Sequence, residues 1–463
     1  MCMKFSNNVI KNVSLLTLVI SIFYGCNEND SKVENIHDTT KPVVITDFEP
    51  SEGGAKTKLF IHGSNFGTDA SKIKVNIGGV KAGVVNSTGD IIYCIVPQKA
   101  TEGSVEVIVG DADPVKAVDK FKYVPNTQVT TLVGKVDETG KVEVLDGTFE
   151  EAGLSGPNLL AVDPKNTHHI YFIDGDRSNG ASIRFIDLKE RIVRTLLQKG
   201  QGNWENIRGL LFTASGDSLL VVNQKDATDA IAVSYMTREN GFKKPQPMIY
   251  GRKCFSAAAH PNGEIYYTNR ITGALIRFDT QTKEEKEMFR LTNGSGEAAF
   301  FVFMHPEGSY AYINNASGKT ILKAEYDWEK KELKNPNIFC GKQSVEGWQD
   351  GQGVNAILGN PFQGCFVKND KYVEEGRADC YDYYFCDQFA HCIRYVTPDG
   401  FVHTYAGRGS AGTNTNPFGY VDGDLKKEAR FRFPSGISFD PENEIFYIGD
   451  ADNHVMRNIV VDE

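Results

Sequence analysis

From Val43 onward the apolar positions come in short runs that alternate with polar ones, and the runs end at Gly, Asn, Asp or Pro. In Lys58-Leu59-Phe60-Ile61-His62 the flanking positions are polar and Leu59 and Ile61 share one face, the period of a half-buried strand. Similar runs lie at Val43–Ile45, Lys74–Ile77, Ile91–Val96, Val105–Val109 and Phe121–Tyr123, with turns at Ser51–Gly54 and Gly63–Gly67. Roughly seven strands in about 80 residues predict a small Ig-like sandwich.

Past residue 127 the pattern repeats. A Gly-containing loop with Asp-Gly leads to a small residue or Pro and then an apolar strand: Asp146-Gly147 before Leu159–Asp163, Asp350-Gly351 before Cys365–Val367, and Asp422-Gly423 before Gly436–Asp440. A turn and an aromatic strand follow, as at His168–Ile173, Tyr383–Phe385 and Glu444–Ile448. A third strand carries Ile-Arg or its like: Ile183-Arg184, Ile276-Arg277, Ile393-Arg394 and Met456-Arg457. Six such units start near residues 156, 207, 254, 298, 360 and 432. One four-stranded meander cannot bury both its faces, so the units are expected to stack radially as a propeller. The last unit stops after its third strand, and Gln128–Val133, which matches the outer strand at Phe401–Gly407, is left to complete it. The predicted fold is therefore all-β, with a sandwich over residues 42–125 and a six-bladed β-propeller over 126–463.

Composition narrows the partners. A net charge of −10 with no dense Lys/Arg cluster argues against nucleic acid. Residues 1–26 read as an export signal: Lys4 and Lys11, then an apolar run from Val13 to Tyr24 too short to span a bilayer, then Cys26. Residues 27–41 are polar and aperiodic, a flexible tether. Seven cysteines remain beyond Cys2 and Cys26, an odd number with irregular spacing that makes a poor disulfide framework. The Cys380, Cys386 and Cys392 spacing is also too wide for a common structural zinc site.

Three resemblances follow from these residues. Tyr24-Gly25-Cys26 resembles a lipobox, and the early Glu28 and Asp30 resemble the surface-export signal of Bacteroidetes lipoproteins. This implies lipidation of Cys26 and an outer-membrane, surface-exposed location. The segment PVVITDFEPSEGG followed by LFIHGSNFG resembles the start of an IPT/TIG domain. The repeat TLVG, DG, P, VD, YFID, IRFID resembles an NHL repeat, most closely in units one, five and six. Together these features resemble accessory surface proteins of Bacteroides glycan-utilisation systems.

The long loops joining one blade to the next, Lys135–Ser155, Lys342–Gly359 and Arg408–Phe431, share one propeller face with the turns between second and third strands. Long loops on a rigid ring are where binding usually lives. The candidate ligand residues on that face are Trp204, Trp348, Arg177, Gln224, Tyr250, Arg270, Phe389 and His391. An indole on a polar, Gly-rich loop suits the apolar side of a sugar ring, though either Trp could instead plug its own blade junction. A divalent ion in the channel would draw on Glu297, Asn223, Asn269 and Asp387. No nucleophile elbow, His-Glu-x-x-His or phosphate loop occurs, so no catalytic residue, cofactor or metal is assigned. The expected function is glycan binding beside a SusC/SusD-like transporter, with a polysaccharide or oligosaccharide as ligand. The alternatives are a metal-dependent hydrolase or lyase on sugar lactones or uronides, and a protein-docking scaffold of the envelope.

Overall fold

The computed structural model describes residues 37–55, 57–97, 100–125, 127–137, 142–175, 181–198, 200–292, 299–409 and 417–460. The signal, Cys26 and residues 27–36 of the tether lie outside them, as do Arg177 and Glu297. The chain divides into two compact units, one of residues up to 52 with 56–122, the other of 53–55 with 123–463.

The first unit is the sandwich. Val44–Glu49, Lys58–Ser64 and Ile91–Ile95 pair in one sheet, and Ile73–Ile77, Gly103–Val109 and Val115–Tyr123 in the other. Leu59, Ile61, Ile92 and Cys94 face Val75, Ile77, Val105 and Val107 across a core with no solvent exposure. A strand the sequence did not suggest, Val80–Ser87, pairs with Ile73–Ile77 at its start and with Ile91–Ile95 at its end, so it joins the sheets. Its burial does not alternate cleanly, because it changes partner at Gly83. Asn65 in the GSNFG turn is left-handed (φ 63°), and its side-chain amide donates to the carbonyls of Asp38 (2.9 Å) and Lys41 (2.8 Å), pinning the entering chain.

The second unit is a ring of six sheets. The innermost strands are Pro157–Val162, Ile207–Phe212, Cys254–Ala259, Phe300–Met304, Pro361–Lys368 and Pro434–Asp440, and each pairs outward with the next strands in sequence. They contact one another in cyclic order, so the ring is closed. In the last blade Gln128–Val133 lies against Val455–Val460, with Val129 opposite Ile459 and Val133 opposite Met456. The gap left by the short final unit is filled from the N-terminal side, and no blade edge is left open there.

The repeated Asp-Gly and Ile-Arg signals are two halves of one clamp. Arg184, Arg394 and Arg457 are wholly buried. Each donates to a buried Asp ending the second strand: Asp174 at 2.7 Å, Asp387 at 3.0 Å and Asp450 at 2.9 Å. Each also reaches the loop Asp, respectively Asp146 (2.9 Å), Asp350 (2.9 Å) and Asp422 (2.5 Å). That loop Asp in turn accepts from the backbone N–H and hydroxyl of an outer-strand Thr: Thr195, Thr404 or Thr131. The next residue must be Gly in the last blade: Gly423 has φ 127°, and a Cβ there would come within 2.2 Å of Glu428. Arg277 does not belong to the set. It stands opposite Tyr266, three residues before the strand end at Asn269, whereas Arg394 stands two before Asp387. The one-residue offset turns Arg277 to Glu264 (2.9 Å) instead.

Candidate ligand-binding face

Three of the candidates come together where blades five and six meet. Trp348 is half-buried; its indole N–H donates to the Thr404 hydroxyl of the clamp at 2.8 Å, and the Arg408 guanidinium lies 4.0 Å over its ring. Arg408 donates to the carbonyl of Ala390 at 2.9 Å, tying Trp348 to the turn that holds Phe389 and His391. Phe389 is 43% exposed, with the Lys319 ammonium 4.6 Å from its centroid and Phe433 edge-on at 5.7 Å. His391 lies against Phe433 (4.8 Å) and Phe418 (5.1 Å), and its Nδ1 accepts from the Phe433 N–H at 3.2 Å. The imidazole therefore carries its proton on Nε2. Burial, with Arg408 and Arg432 nearby, holds it down at about 4. Arg432 reaches over Phe418, itself 41% exposed, at 5.6 Å.

A second cluster joins blades two and three. The side-chain amide oxygen of the buried Gln224 accepts from Arg208 (2.6 Å) and Arg270 (3.2 Å), and both guanidiniums lie over Phe255 at 5.5 and 5.3 Å. The other two described candidates stand apart. Trp204 is half-buried against the inner core, donates to Ser234 at 3.3 Å, and covers Gly202 so closely that a Cβ there would lie 2.4 Å from the indole. Tyr250 ends an outermost strand and is 57% exposed.

The residues imagined around a channel ion are otherwise engaged. Asn223 accepts from the N–H groups of Glu205 and Asn206 and donates to the Ile231 carbonyl. Asn269 serves its own turn, and Asp387 serves Gly359, Asn360 and Arg394. Among the described residues no group of three or more His, Cys, Asp or Glu converges for a metal. The seven described cysteines are free thiols, and burial raises those of Cys94 and Cys340 to about 12. Cys365 packs against the core that holds Cys386.

A Ser–His–Asp contact on the opposite face has a plainer origin. Ser309 lies 3.0 Å from Nδ1 of His305, whose Nε2 is 3.4 Å from Asp379. His305 also accepts from the Glu307 N–H two residues on, as His260 does from Asn262, Asp163 from Lys165 and Asp440 from Glu442. The position caps the turn after an innermost strand in four blades, and His305 fills it as the aspartates do.

The profile of the IPT/TIG domain family matches residues 42–130. The chain is similar over 93% of its length to all of an auxiliary nutrient binding protein from Bacteroides thetaiotaomicron VPI-5482, with 39% identity and a TM-score of 0.69. A second auxiliary nutrient binding protein, from Bacteroides ovatus ATCC 8483, shares 36% identity over 92% of this chain and 99% of its own, with a TM-score of 0.73. The chain belongs to the family of these Bacteroides proteins. Another relative in the family, from Bacteroides thetaiotaomicron VPI-5482, is described as a candidate phosphatase; it is 33% identical, covers 92% of this chain and 98% of its own, and gives a TM-score of 0.68. No curated protein matches.

In this family member the sequence reading passed over Phe418, Phe433, Arg408, Arg432 and Lys319, which complete the aromatic patch. The signal that could have found them is local. Phe418 lies within the longest Gly-rich loop and the Arg432-Phe433 pair follows its end, and an aromatic beside a cation at a loop end is a common recognition pair.

Proposed function

We propose that the chain is an accessory nutrient-binding lipoprotein, anchored through Cys26 in the outer membrane, that holds a polysaccharide or oligosaccharide on the loop face of its propeller. The observation that carries this reading is the patch of Trp348, Phe389, Phe418 and Phe433, with Lys319, Arg408 and Arg432 against its rings. Exposed rings offer a flat apolar surface to the C–H face of a sugar, and neighbouring cations and backbone groups supply donors to its hydroxyls. Phe389 and Phe418 stay exposed while their neighbours are fixed by the clamp, so the platform is preorganised and costs little ordering on binding. The names of the two Bacteroides relatives agree with a nutrient-binding role. A SusC/SusD-like transporter is the proposed partner, since an anchored binder must pass its cargo on.

Affinity electrophoresis and calorimetry of the purified protein against plant, host and microbial polysaccharides test the reading. Saturable binding to at least one, weakened in Phe389→Ala, is expected. A folded protein that binds none of them, or one whose binding is untouched by changes in the patch, overturns it. Turnover of 4-nitrophenyl phosphate by the same preparation would instead favour the activity named for the third relative.

A further inference from the structure

We infer that the propeller carries a second ligand site, a cup of about 400 Å³ on its axis that opens away from the aromatic patch and takes an uncharged small molecule with an apolar body. The lining comes from the middle and later parts of the six innermost strands and from turns that follow them, including Pro164, Ala214 and Pro306. None of the loops bearing Trp348, Phe389 or His391 contributes, so the mouth lies on the opposite face.

The inner end is shut. Phe301 sits between Phe255 (4.9 Å) and Phe362 (4.4 Å), an aromatic row across blades three, four and five. On the other side the Gln363 amide crosses from blade five to blade one: it donates to the Leu160 carbonyl at 2.8 Å and accepts from the N–H groups of Leu160 (2.9 Å) and Ile437 (3.2 Å). Ring closure thus leaves a blind cup in place of an open pore.

The chemistry of the wall follows from the fold. An innermost strand pairs on one side only, so its other edge turns N–H and C=O groups toward the axis, where they need partners. Four blades receive them from side chains. Besides the Gln363 bonds, Ser438 accepts from the Val162 N–H (3.4 Å), Ser256 from the Val302 N–H (3.0 Å), and Asn314 donates to the Phe362 carbonyl (2.5 Å). Among the described residues no neighbouring side chain bonds to the backbone of Gly209–Phe212 in blade two or Ala257–Ala259 in blade three. These adjacent strands form one wall with hydrogen-bonding capacity to spare. Leu211, Phe212, Phe303 and Met304 line the cup yet are only half-buried, which gives an apolar surface beside that wall. The one charged side chain in the lining, Arg208, turns its Nε to Gln224 and its guanidinium onto Phe255. Volume, apolar walls and a few polar edge groups are those of a small-molecule site. The matching ligand is uncharged, with an aryl or alkyl body and hydroxyl or amide groups along one edge.

The test uses 4-nitrophenyl β-D-glucopyranoside as a neutral probe and 4-nitrophenyl phosphate as its anionic counterpart, by calorimetry on the full chain. One molecule of the glucoside is expected to bind per chain. Ala259→Trp, at a half-buried position inside the cup, and Ala214→Trp, at its exposed rim, should each weaken it at least tenfold with thermal unfolding retained. Phe389→Ala should leave it unchanged, so a failure of polysaccharide binding on the loop face would not touch this result. The inference is overturned if the glucoside does not bind, if both folded cup variants bind it normally, if Phe389→Ala abolishes it, or if the phosphate binds more tightly.

Discussion

Arg394 and Asp387 meet at 3.0 Å with neither side chain exposed, and the same contact recurs as Arg184–Asp174 and Arg457–Asp450. A buried pair gains little over an apolar pair of equal volume, but losing one partner strands a charge. Asp387→Ala should therefore cost about 3–5 kcal/mol, read as a lowered urea midpoint. Asp350→Ala removes the half-exposed end of the same clamp and should cost only about 1–1.5 kcal/mol. It should also loosen the loop that carries Trp348, because Thr404 holds both residues.

The His391 imidazole, held at about 4 by burial, predicts a distinct acid sensitivity. An unfolded histidine takes up its proton near pH 6.5, and the folded one does not until about pH 4. Stability from keeping this ring neutral is complete above pH 6.5 and is lost as the pH falls toward 4, on the order of 3 kcal/mol in all. His391→Asn suits the left-handed backbone there (φ 56°) and should flatten that part of the profile. Urea midpoints of the two proteins at pH 7.5 and about 4.5 check it; the difference between them cancels the opposite contribution of Asp450, whose carboxyl burial raises to about 6.

The rings of the loop face should separate into binders and supports. Phe389 is 43% exposed, so Phe389→Ala should weaken polysaccharide binding about tenfold, the size of one aromatic stacking contact of ~1.4 kcal/mol, with unfolding little changed. Trp204 is wedged over Gly202 and bonded to Ser234, so Trp204→Ala should cost about 2–3 kcal/mol of stability. Calorimetry and urea melts on both variants tell these roles apart.

What the chain's letters disclosed depended on the sequence distance of the partners. Asp-Gly and Ile-Arg recur because the clamp they form is rebuilt in each of three blades, although its Arg follows the loop Asp by 38, 44 and 35 residues and the strand Asp by 10, 7 and 7. Arg277 has the same neighbours in sequence but sits one residue out of register, a difference visible only once its strand is paired. Trp204 and Trp348 look alike as letters; one meets Ser234 and the other Thr404 and Arg408, and those contacts are set by blade stacking. Gln363 bonds to Leu160, 203 residues away, across a channel that exists only in the closed ring. The strand Val80–Ser87 escaped notice because a change of sheet breaks the alternation by which strands are read.

Closure of the ring by Gln128–Val133 makes the last blade dependent on a segment more than 300 residues earlier in sequence. Val129 is fully buried opposite Ile459, and Thr131 supplies the two bonds that hold Asp422, and through it Arg457, in the clamp. Val129→Asp places a carboxylate in that seam and should cost about 4 kcal/mol or more. The loss should also change the form of unfolding. Once the seam opens, Val455–Val460 becomes an unpaired edge that can pair with another chain. The variant should therefore show self-association by size-exclusion chromatography at moderate urea, before the rest of the propeller melts. Val85→Asp, at a half-exposed sandwich position, should leave both the midpoint and the elution volume as in the wild type. A single sharp transition for Val129→Asp at the wild-type midpoint would mean that the seam contributes nothing to holding the six blades together.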